Sequence, residues 1–69
     1  MSNLTKWAAS QKGRPFPGGQ AAMRQFADGT TAVIVKIQGE RGYVIYDADM
    51  VCTGVVYDSL DALSKAKIN

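Results

Sequence analysis

Six carboxylates, one thiol and no histidine make up the reactive inventory of this 69-residue chain. General acid–base catalysis needs titratable groups within hydrogen-bond reach of the reacting proton, and nucleophilic catalysis needs a thiol or hydroxyl beside a base. Asp28, Glu40, Asp47, Asp49, Asp58 and Asp61 fall on turn-like segments and a helix start, without forming a convincing pair. Asp47 and Asp49 are two apart around a turn and could meet a cation, but two carboxylates are too few for a dedicated calcium loop. Cys52 lies inside an apolar run with no evident base. With no histidine and no second thiol, the usual structural zinc sites and an internal disulfide are both excluded. The glycines do not follow the spacings that cradle phosphate. The expectation is a non-enzymatic protein with no metal and no cofactor.

Charge offers a different chemistry. The net charge is only +2, yet residues 1 to 27 carry Lys6, Lys12, Arg14 and Arg24 without a single carboxylate, whereas all six acids lie in residues 28 to 69. Such asymmetry suits contact with nucleic acid or with an acidic protein face. Within the basic portion, Lys12-Gly13-Arg14-Pro15 resembles the core of the AT-hook, a short extended element that lies in the minor groove of A/T-rich DNA. A flat backbone without side-chain bulk fits a groove about 6 Å wide, and arginine is drawn to its negative potential. The resemblance covers four residues, because Phe16-Pro17-Gly18-Gly19 stands where the family carries further basic residues. It implies a nucleic-acid-binding alternative that uses Lys12, Arg14 and Arg24.

These groups must be positioned by elements that the patterning outlines. Three strand-length apolar runs, Thr30 to Gln38, Tyr43 to Asp47 and Val51 to Tyr57, are rich in Val, Ile, Thr and Tyr, side chains suited to a pleated, half-buried surface. The segment Gln20 to Ala27 reads as a further strand entering a two-residue hairpin at Asp28-Gly29. A second turn is expected over Gln38 to Gly42, with Glu40 and Arg41 at its solvated tip. In the first long strand Thr31, Val33, Val35 and Ile37 share a face and are expected inward, leaving Ile34 outward.

Helices are expected at both ends. Leu4, Trp7 and Ala8 recur at one-face spacing after the candidate caps Ser2 and Asn3. Residues 12–19 form an exposed Gly/Pro loop after that helix, with Phe16 tucked onto the sheet. The carboxyl-terminal helix has Asp58 or Ser59 as cap, Asp61 in its first turn and Lys65 and Lys67 in its last; Leu60, Leu63 and Ala66 form its sheet-facing stripe. The fold expected is α+β: a single small domain over residues 1–69, with an antiparallel meander of three to four strands. Its carboxyl-terminal helix packs on one face, and a short amino-terminal helix precedes the sheet.

A chain of this length buries only roughly 60% of the surface its unfolded form exposes. Both faces of the later strands are nonetheless apolar, so the second face needs cover from the amino-terminal helix or from another chain. The function expected is therefore a small protein-binding module. It would act as an inhibitor or regulator of the size that mobile elements such as phages use against larger host machines, and would self-associate. Ile34, Tyr43, Tyr46, Phe16 and Trp7 are the candidate contact residues. No secretory h-region or membrane-length apolar run occurs, which points to a cytoplasmic protein without membrane contact.

Overall fold

The structure, a computed structural model, describes residues 3–18 and 22–68. Helix α1 (Asn3–Gln11) is followed by strands β1 (Met23–Gln25), β2 (Thr31–Ile37), β3 (Glu40–Tyr46) and β4 (Cys52–Tyr57), and helix α2 (Leu60–Ile68) ends the chain. The strands form one antiparallel sheet in the order β1-β2-β3-β4. This is the expected α+β meander with a helix before it and a helix after it.

Each hairpin reflects its turn residues. Between β2 and β3 the loop is Gln38-Gly39 alone, both with positive φ (50° and 84°), and Ile37 pairs directly with Glu40. Two left-handed residues match the twist of the flanking strands, so the turn closes earlier than the sequence reading placed it. Glu40 and Arg41 consequently belong to β3 and not to the hairpin tip. Between β1 and β2 the Phe26 amide donates to the Thr30 carbonyl at 2.8 Å, leaving three loop residues and not two; Gly29, at φ 93°, takes the left-handed position. The Asp28 carboxylate accepts from the Thr30 amide (3.0 Å) and hydroxyl (2.6 Å), which fixes the turn from within. The β3–β4 turn is built likewise: the Asp47 carboxylate accepts from the Asp49 amide (2.9 Å) and the Val51 amide (3.0 Å). That Asp47 oxygen serves the turn itself.

Both faces of the sheet are used inside the chain. On one, Val33, Val44, Tyr46 and Cys52 pack with Leu4 and Ala8 of α1, joined at the margin by Trp7, Phe16, Val35, Ile37, Met50 and Val56. On the other, Ala32 and Ile45 pack with Leu63 of α2, flanked by Phe26, Tyr43 and Tyr57. The odd positions of β2 thus face α1, and the alternate face is covered in part by α2. Ala32, on the same face as Ile34, is buried beneath Leu63. Part of the apolar second face is thus covered by the chain's own helix, and the rest is open.

Helix α1 is fitted closely. Gly42 is buried, and a Cβ there would stand 2.5 Å from Leu4 Cδ2 and 3.1 Å from the Tyr57 carbonyl, so the absent side chain is what admits the helix. The amides of Asn3 and Leu4 donate to the Glu40 carboxylate (3.2 and 3.4 Å), a cap supplied from β3. A carboxylate at this end also complements the helix dipole. Asn3 contributes its backbone amide here, while Ser2, residues 19–21 and the side chain of Lys67 lie outside the described residues. Helix α2 is capped as expected by Ser59, whose hydroxyl accepts from the Ala62 amide at 3.1 Å. Its stripe is narrower than the spacing suggests: Leu63 is 1% exposed, but Leu60 is 50% exposed and Ala66 is also at the surface.

Residues 12–18 do not hang free. The Gly13 amide donates to the Cys52 carbonyl, the Cys52 amide to the Arg14 carbonyl and the Phe16 amide to the Met50 carbonyl, each at 2.8 Å, and Pro15 bridges Val51. The segment is extended, as two prolines require, and it closes the outer edge at the start of β4. Its side chains are exposed except for Phe16, which meets the Tyr46 ring edge-on at 5.3 Å.

Candidate functional site

The five contact residues chosen from the sequence divide between two faces. Trp7, Phe16 and Tyr46 lie on the α1 side. Tyr46 is 1% exposed, and Trp7 and Phe16 pack against the cluster that contains it. Tyr46 therefore belongs to the core and is withdrawn as a contact residue. Its phenol is pushed up from the usual tyrosine value by burial, and secondarily by the electrostatic effect of the neighbouring Cys52. The Cys52 sulfur is itself buried, 3.8 Å from the Ala8 carbonyl oxygen.

Ile34 and Tyr43 remain, and the register brings them together. They are direct partners across β2 and β3, and Tyr57 of β4 is the next partner of Tyr43, so the three side chains form a row across the α2-side face. One row nearer the hairpin tip, Lys36 pairs with Arg41. One row the other way, Ala32 and Ile45 are buried beneath Leu63. Exposure rises along this series: Ala32 and Ile45 are buried, Ile34, Tyr43 and Tyr57 are half-buried, and Lys36 and Arg41 are exposed. Helix α2 covers the first row, grazes the second and leaves the third open.

The same face bears Arg24, paired with Ala32, whose guanidinium carbon sits 5.5 Å from the centre of the Phe26 ring. Residues two apart on one strand face lie about 6.6 Å apart, within reach of such a stack. Val55 of β4 is 44% exposed. Beside this surface an open groove of about 540 Å³ runs past the end of β4, lined by Leu4, Thr5, Glu40, Arg41, Val56, Tyr57 and Asp58. Arg41 and Tyr57 belong both to the groove and to the rows described.

The basic residues of the nucleic-acid alternative are not brought together. Lys12 and Arg14 stand on the extended segment beyond β4, and Arg24 is on β1 at the opposite edge. Four inter-strand steps separate them, roughly 19 Å. The Gly13 amide and Arg14 carbonyl are also committed to Cys52, so a minor-groove hook would first have to leave the sheet.

Lys36, Arg41 and Tyr57 were not singled out from the sequence. The signal was present in Gln38-Gly39: a two-residue turn there fixes the pairing of Lys36 with Arg41 and draws Arg41 out of the loop. No helix among the described residues is long and apolar enough to cross a membrane. Neither a protein-family model, nor a curated protein, nor a solved structure matches the chain.

Proposed function

We propose that this chain is a non-enzymatic protein-binding module, an inhibitor or regulator that acts by covering part of a larger protein with the open portion of its α2-side face. The observation that carries the reading is the half-exposed row Ile34, Tyr43 and Tyr57 beside the exposed pair Lys36 and Arg41. Tyrosine and arginine around an aliphatic centre are the composition in which binding energy concentrates at protein interfaces. The α1 side offers little for this role, since its large side chains are already spent on the core.

The test compares partner capture by the wild-type chain with capture by Ile34→Asp and by Tyr43→Ser, each checked for a native amide spectrum. The reading requires folded variants that lose the partner. Folded variants that retain it at full strength would place the contact elsewhere.

A further inference from the structure

We propose that the partner presents an extended acidic segment, with an apolar side chain two residues from a carboxylate, to the β2–β3 portion of the α2-side face. This rests on the protein-binding reading above and adds the chemistry of what is bound. Like charges placed directly opposite one another on neighbouring strands repel, and a sheet gains nothing by pairing Lys36 with Arg41. Neither residue makes an ion pair among the described residues, and both are exposed. A ligand that brings carboxylates removes the repulsion and gains charge-assisted hydrogen bonds, in bidentate form at the arginine.

The spacing also fits. The Lys36–Arg41 row lies two residues from the Ile34–Tyr43 row, about 6.6 Å along the strands, and an extended peptide repeats its same-side side chains at the same interval. A carboxylate over the basic pair therefore sets the next same-side residue over Ile34 and Tyr43. Arg24, on this face at the β1 edge, adds positive charge. The adjoining groove is lined by two carboxylates, Glu40, which accepts from the α1 amides, and Asp58, and both oppose such a ligand on that side.

The experiment titrates isotope-labelled protein, at low salt, with three probes: a capped Glu-Ser-Leu-Ser repeat (the Glu-Leu peptide), which sets Glu and Leu two residues apart on one side, the matching Lys-Ser-Leu-Ser repeat (the Lys-Leu peptide) and oligothymidylate. The Glu-Leu peptide is expected to shift the amides of Ile34, Lys36, Arg41, Tyr43 and Tyr57 and to weaken as salt rises. The double variant Lys36→Glu, Arg41→Glu is expected to bind it about tenfold more weakly or worse. Should that variant lose its native spectrum, Lys36→Gln with Arg41→Gln removes the charge while keeping an amide at each position. Preference for the Lys-Leu peptide at this face overturns the acidic class and leaves the protein-binding reading standing. Preference for oligothymidylate overturns both, whereas the absence of a shift with any probe overturns the acidic class alone, the protein-binding reading being decided by capture with Ile34→Asp and Tyr43→Ser. A Glu-Leu peptide that binds the neutralised variant as tightly as the wild type overturns the role of the two cations.

Discussion

The two helices cover opposite faces of one sheet, and they do so very differently. Helix α1 lies against β2, β3 and β4, buries Leu4 and Ala8, sinks into the space left by Gly42 and takes its cap from Glu40 across the sheet. Helix α2 approaches chiefly β4, and Leu63 is its one fully buried side chain among those described; its ion pair, Asp61 with Lys65, is exposed and contributes little. A short helix is marginal alone and depends on what it packs against. By that measure α1 is part of the structural unit and α2 a partial cover. The difference separates the face that holds the fold from the face that is left partly open.

Truncation should expose the asymmetry most sharply. Leu4→Ala is expected to cost about 3 kcal/mol of the ~3 to 5 kcal/mol that a core of this size supplies, leaving about 0 to 2 kcal/mol and a midpoint near the start of a urea titration followed by circular dichroism. Leu63→Ala is expected to cost less, about 2 kcal/mol, and to release α2 while the sheet and α1 keep their amide dispersion. Equal losses with a single cooperative collapse would erase the distinction.

The cap from β3 comes next. Glu40→Gln keeps the shape and removes the charge, and a loss of about 1 kcal/mol in the same titration is expected, falling on α1 and not on α2. Stability indifferent to this change would mean that α1 is held by packing alone.

The smallest effect near neutral pH concerns Tyr46. Its folded-state pKa is raised, so its contribution is complete below the unfolded tyrosine value of about 10 and is lost as pH climbs through the folded value. The unfolded chain ionises first, and stability falls on the alkaline side. Tyr46→Phe should flatten that part of the profile. An unchanged alkaline slope would assign it to other groups.

Much of the architecture was legible because it rests on local rules. Branched and aromatic runs marked the strands, Ser59 marked the start of α2, and the prolines marked an extended segment after α1. What was not legible depends on pairings across the chain. Nothing near Glu40 announces that its carboxylate meets amides 36 and 37 residues earlier. Gly42 reads as a turn residue until the helix it admits is seen. Tyr46 looked available because alternation reports which side a residue takes, not which side is roofed, and Phe16 closing over it is a tertiary fact. The candidate site suffered most from one turn: with Gln38 to Gly42 read as the loop, Arg41 fell outside the sheet and its pairing with Lys36 was hidden.

Native-state hydrogen exchange, resolved amide by amide, tests the central claim most directly. The account predicts that amides within α1, with those of β2 and β3, exchange only through global unfolding, while α2 opens by a separate and less costly route that leaves the sheet intact. Amides of α2 as protected as those of α1, sharing one opening reaction, would contradict it.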